Sequence, residues 1–194
     1  MNKKILILLI FLLNFDSSSA NEKNLLNNYD PINLDGSINV LIEIPAGSNE
    51  KKYFSEKENK IVKEFKLNKV RKIDYLPYPF NYGILPKTFE SYSTGGDGDP
   101  LDVILIGHKI NEGSIVKAKV VGIIYMKDNG EIDNKILATT YDDTFFKINS
   151  IKRLNENFPG IIEIIKIWLE NYKGGFIEII DIKNKKDLFN YINK

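Results

Sequence analysis

The sequence predicts a mainly β domain with flanking helices (α+β), its strands closed into a barrel. Three observations carry this. Short apolar runs bounded by Pro, Gly, Asn and Asp recur from Ile38 to Thr139 and read as strands. A helical period arises only late, where Ile161, Ile164, Ile165, Trp168, Leu169 and Tyr172 recur at three- and four-residue steps. No regular exchange of strand and helix marks the crossovers of a doubly wound sheet.

Ahead of the domain stands a leader. Lys3 and Lys4 precede the unbroken apolar run Ile5 to Leu13, and Ser18-Ser19-Ala20 offers small residues for cleavage. This is the layout of a secretory signal peptide over residues 1–20, leaving 21–194 as a single domain. The apolar run is about half of the ~20 residues a spanning helix needs, so no stable membrane anchor is expected after cleavage. The reading makes the protein exported, periplasmic or secreted; without it the protein would be cytoplasmic. Removing Lys3, Lys4 and Asp16 leaves 25 basic and 25 acidic residues, a formally neutral chain.

From Asn21 to Gly36 the chain is rich in Asn and Asp and reads as a surface lead-in. Ile38 to Ile44 is a strand stopped by Pro45. Lys51 to Ser55 and Lys60 to Phe65 form two more around a polar turn. Asp74 to Pro86, dense in Tyr and Pro, reads as an ordered aromatic loop. Ser91 to Pro100 is turn-rich. Leu101 to Ile106 and Ser114 to Met126 are strands, Asp128-Asn129-Gly130 is a hairpin turn, and Lys135 to Thr139 returns. Pro159 and Gly174-Gly175 punctuate the late helix as helix ends prefer. Phe176 to Ile182 is a closing strand, and Asp187 to Ile192 a terminal helix.

Composition excludes several chemistries. The absence of cysteine removes disulfides, Fe–S clusters, thiolate metal sites and cysteine nucleophiles. A single histidine, His108, removes multi-histidine metal cages, so any metal must be held by oxygen. A net charge of +1 gives no global basic footprint, and nucleic acid is not expected as a partner.

The densest acidic constellation is Asp97-Gly98-Asp99-Pro100-Leu101-Asp102, just before an apolar strand. In an extended segment Asp97 and Asp99 share a face, while Gly98 and Pro100 set a bend that can turn Asp102 toward them. Carboxylates so gathered repel one another unless they take up protons or cations. Read alone, the segment suits either a solvated Asp/Gly/Pro turn or a site for Mg²⁺, which prefers a few carboxylates with water and phosphate. A second acidic set, Asp128, Glu131 and Asp133, gains meaning only if its hairpin approaches the first. Glu43 lies mid-strand in an apolar run, where a buried acid needs a partner. Lys52, Arg71, Tyr82, Lys135, Tyr172 and Lys173 are scattered donors of the kind a polyphosphate needs opposite its cation-bound side.

These residues carry a resemblance. Asp97-Gly98-Asp99-Pro100-Leu101-Asp102-Val103 resembles the signature of the soluble, magnesium-dependent inorganic pyrophosphatases of family I. So do Glu43-Ile44-Pro45-Ala46, Lys52-Tyr53, Tyr78-Pro79-Phe80-Asn81-Tyr82-Gly83, the Asp128 to Lys135 hairpin and Tyr172-Lys173, in that family's order. The resemblance implies a closed five-stranded OB-like β-barrel that hydrolyses pyrophosphate to two phosphates, with water attacking in line. It further implies several Mg²⁺ per site on Asp97, Asp99, Asp102, Asp128 and Asp133, with Glu43 beside them. Asp99 would accept the proton, and Lys52, Arg71, Tyr82, Lys135, Tyr172 and Lys173 would clamp the phosphates. Members of the family commonly form dimers or hexamers, so a homo-oligomer is expected. Two departures are Phe54, where the family usually has an acid, and Asn129, where Glu is common.

Two other readings use the same residues. A DxD-type metal-dependent transferase would need a nucleoside pocket beside the acids. A non-catalytic OB-like module binding anions would need stacking aromatics on an open basic face and would show no turnover.

Overall fold

In the computed structural model the described residues are 26–192, so the leader read at 1–20 lies outside them. The ring at the centre is built from β1 (Ile38–Ile44), β6 (Asn81–Ile84), β7 (Asp102–Ile106), β8 (Ile115–Asp128) and β10 (Lys135–Thr140). β1 pairs with β6, β6 with β7, β10 with β8, and β8 back with β1, all antiparallel. β7 and β10 close the circuit as the parallel pair. Five strands therefore form a closed OB-like ring, which leaves no free edge within it.

β8 is long enough to serve three neighbours. Its start pairs with β1, its middle with β10, and its far half with β11 (Ile177–Asn184). Beyond the ring its end folds over as a hairpin with β9 (Glu131–Ile132). β2 (Lys52–Ser55) and β3 (Lys60–Lys63) form a separate hairpin, followed by the two-residue strands β4 (Phe65–Lys66) and β5 (Lys69–Val70).

Both faces of the ring wall are apolar, which is why the strands read as continuous hydrophobic runs and not as alternations. Along β7, Val103 and Leu105 enter one buried cluster while Ile104 and Ile106 enter another. That second cluster also holds Leu154 of α1 (Ile151–Asn157) and Ile162, Ile165, Trp168 and Leu169 of α2 (Ile161–Asn171). The first is joined by Leu188 of α3 (Lys186–Ile192). Among the described residues no helix is long and apolar enough to cross a membrane.

Three segments differ from the sequence expectation. Asn81–Ile84 is a strand inside the stretch expected as loop, because Pro79 and Pro86 bracket it and leave its own amides free to pair. Helix α1 was not expected: with one buried residue, Leu154, it is too short to show a period. Its start is local chemistry, the Ser150 hydroxyl accepting from the Arg153 amide at 3.2 Å. The strand expected to end at Phe65 breaks at Lys63, and Leu67 and Asn68, both at positive φ, turn β4 into β5.

Candidate active site

The parallel pairing of β7 with β10 sets the first element of the site. It places Lys135 directly across from Asp102, so the starts of both strands meet at one end of the ring. There Lys135 Nζ donates to both Asp102 and Asp133, although its side chain is only 2% exposed. Burial works against the ammonium charge, but the two carboxylates outweigh it and raise its pKa. Tyr82 on β6 donates its phenol to the same Asp102 at 2.6 Å.

The acidic loop is held by its backbone. The Asp99 amide donates to Asp97 Oδ1 at 2.9 Å, and Gly98, at φ 84, makes the bend between them. That left-handed backbone favours glycine, and a Cβ there would also meet the Tyr92 ring and hydroxyl at 2.5 Å. Glu90 straps the loop from behind, its amide donating to Asp99 O and its carbonyl accepting from Gly98, each at 2.8 Å.

The hairpin does approach this loop. The Ile132 amide donates to Gly95 O at 2.9 Å, joining the two acidic segments. Asn129 and Gly130 both take positive φ, the two-residue turn that folds β9 back on β8. Lys173, just past α2, donates to Asp128. Tyr172 stacks on Trp168 at 4.4 Å between ring centroids, and the Trp168 indole is fixed by Leu76 O at 2.8 Å.

The result is one cleft of about 170 Å³. Asp97, Asp99, Asp102, Asp128 and Asp133 line it together with Tyr82, Lys135, Tyr172 and Lys173. Burial, then Asp97 and Asp102, raises the Asp99 carboxyl. Burial also raises Asp133, with Asp102 adding to it and Lys135 opposing. Among the described residues no three acids stand together as a ready cation cage, because lysines are interleaved with them.

Glu43, Lys52 and Arg71 are placed elsewhere. Glu43 is not on the cleft surface but buried behind it, where the pairing of β1 with β6 shifts register between Ile42 and Ile44, and its Oε1 accepts from the Phe54 amide at 2.7 Å. Burial, with Asp102 nearby, pushes its carboxyl up to about 8. Arg71 pairs with Glu64 at 2.6 Å, with Tyr172 and Tyr78 as its electrostatic neighbours, and is outside the lining. Tyr78, buried in that aromatic group, has a hydroxyl with no hydrogen-bond partner among the described residues.

Lys52 is a correction of register. Lys51, not Lys52, lines the cleft, its ammonium 5.1 Å from the Tyr82 ring centroid. Lys52 points away and pairs with Glu112. A strand's side chains alternate, so a shift of one residue moves the cation to the opposite face. The readable signal was Phe54: it is buried, Lys52 shares its face, and Lys51 does not. Phe54 itself packs with Leu41 and Ile84 and serves Glu43 through its amide. Glu131, of the second acidic set, lines the cleft as well, and so does Ile132, which was not singled out.

Glu43 makes the metal-free fold sensitive to pH. Its folded pKa of about 8 lies above the 4.5 of an ordinary glutamate. Between those values the unfolded chain has lost a proton that the folded chain keeps, so stability falls as pH rises through that window. In chelator, Glu43→Gln should be more stable than the wild type at pH 7–8 by roughly 1–3 kcal/mol, the two converging below pH 4.5. Denaturant melts across pH check this; parallel curves would assign the dependence to another group.

A sequence profile describing inorganic pyrophosphatase matches residues 40–193. An inorganic pyrophosphatase of Sulfolobus acidocaldarius is 38% identical over 139 residues, spanning 70% of this chain and 73% of that protein. The solved inorganic pyrophosphatase of Schistosoma japonicum superposes with a TM-score of 0.77 at 30% identity, over 85% of this chain and 68% of that one. A truncated Trypanosoma cruzi vacuolar soluble pyrophosphatase, solved in complex with PPi, superposes at 0.76 with 27% identity, over 81% and 66%. The ring is thus an OB-like barrel, and these likenesses make the protein a hydrolase. The chain belongs to the inorganic pyrophosphatase family.

Proposed function

We propose that this cleft hydrolyses pyrophosphate with Mg²⁺ as its cofactor. The observation that carries the reading is the joining of two acidic segments, distant in sequence, opposite lysines and phenols in one small cleft. The Trypanosoma cruzi relative in complex with PPi lends support.

The donor set fits Mg²⁺. It is all oxygen, and burial, with the neighbouring carboxylates adding to it, raises Asp99 and Asp133, a strain that a bound cation would relieve. Asp97, Asp99, Asp102, Asp128 and Asp133 would hold the ions, with Glu43 supporting from behind. When bound, Mg²⁺ neutralises the anhydride's charge and lowers the pKa of water. Lys135 and Lys173, held by acids in the metal-free cleft, would then serve as phosphate donors together with Lys51 and the Tyr82 and Tyr172 hydroxyls. Asp99 receives the proton from the attacking water on its carboxylate. The protein's contribution is placement and charge, with no covalent intermediate.

Phosphate release from pyrophosphate, with and without Mg²⁺, tests the reading; no release in Mg²⁺ would reject it. A finer expectation concerns the acids. Asp97→Asn and Asp102→Asn should shift the Mg²⁺ activation curve to higher concentration, and an unmoved curve would argue against ligation by these residues.

A further inference from the structure

A second cavity lies at the opposite end of the ring, where β8 begins and β10 ends. It measures about 580 Å³, against about 170 Å³ for the catalytic cleft, and shares no residue with it. Lys119, Lys147, Arg153 and Lys185 line it, with the rings of Tyr141 and Phe146. None of the four cations is ion-paired among the described residues. The acid in the wall, Asp35, is already committed to Lys117 at 3.0 Å and to Ser37. Lys119 is the most enclosed of the four, its ammonium 5.3 Å from the Tyr141 ring centroid and 5.1 Å from that of Phe146. Burial, and then Lys185, pushes its pKa down.

Like charges gathered without a counter-charge cost free energy, and an anion of matching valence removes that cost. Size narrows the choice. A cavity in the range of about 300–1,000 Å³ suits an organic ligand of drug size, far more than orthophosphate fills. The cations surround one concavity and do not run along a face or a helix, as a nucleic-acid track requires. Two aromatic rings beside them offer a surface for a planar base.

We propose that this cavity is a second, non-catalytic site that binds a nucleoside polyphosphate, its phosphates on Lys119, Lys147, Arg153 and Lys185 and its base against Tyr141 and Phe146. The assignment goes beyond pyrophosphate hydrolysis and does not depend on it. Calorimetric titration of the full chain with the non-hydrolysable analogue AMP-PNP tests it, with tripolyphosphate as the base-free probe. Saturable binding at millimolar concentration or below is expected. The Lys119→Gln/Arg153→Ala double variant should weaken it by about tenfold or more. Tyr141→Ala should weaken AMP-PNP binding while leaving tripolyphosphate binding unchanged. All of these variants should keep their pyrophosphate hydrolysis without nucleotide, which also reports that they fold. Absent binding at millimolar analogue would overturn the proposal, as would binding that pyrophosphate displaces and the cavity variants leave intact. Equal loss of both probes in Tyr141→Ala, or of neither, would overturn the recognition of a base.

Discussion

Asp99→Asn should fold as the wild type does and lose about two or more powers of ten in turnover, the scale of a positioned general base. The fold is insensitive because Asp99 serves it through its backbone. Its amide donates to Asp97 and its carbonyl accepts from Glu90, and asparagine keeps both bonds. Turnover is sensitive because an amide cannot take the proton that an attacking water releases. Steady-state phosphate release at saturating Mg²⁺, with a thermal melt alongside, separates the two effects. An unchanged rate would remove Asp99 from the role.

Lys51 and Lys52 should part company by an order of magnitude or more. A charge-assisted hydrogen bond of roughly 1.5–3 kcal/mol corresponds to a loss of about 10- to 150-fold when it is removed. Lys51→Ala should therefore lower kcat/KM for pyrophosphate by that order, since its ammonium faces the cleft beside Tyr82. Lys52→Ala removes the pair with Glu112, which lies outside the cleft, and should leave kcat/KM within about twofold. The reverse ranking would return the phosphate contact to Lys52 and reject the register.

Much of the acidic cluster is legible in the sequence. Asp97, Asp99 and Asp102 stand within six residues, around a glycine and a proline that can only make a bend. The hairpin acids were visible for the same reason, with Asn129-Gly130 at their turn. Local pattern failed where the deciding partner is remote. Glu43 reads as a strand acid of unknown face, and only the fold shows it buried behind the cleft on the Phe54 amide. Arg71 reads as a free cation, and only the fold shows Glu64 holding it. Lys51 and Lys52 look interchangeable until the burial of Phe54 sets the alternation.

The amino-acid sequence by itself determined most of the elements, the Asn81–Ile84 strand and helix α1 excepted, and which chemistry is available. Apolar runs, prolines and glycines act over a few residues, and the lack of cysteine with a single histidine leaves oxygen as the only metal donor. Tertiary structure alone decided which charges meet. The parallel register of β7 with β10 sets Lys135 between Asp102 and Asp133, and the hydrogen bond from the Ile132 amide to Gly95 O brings the hairpin to the acidic loop. Coulomb interaction depends on separation in space and on burial, and neither quantity is a property of spacing along the chain.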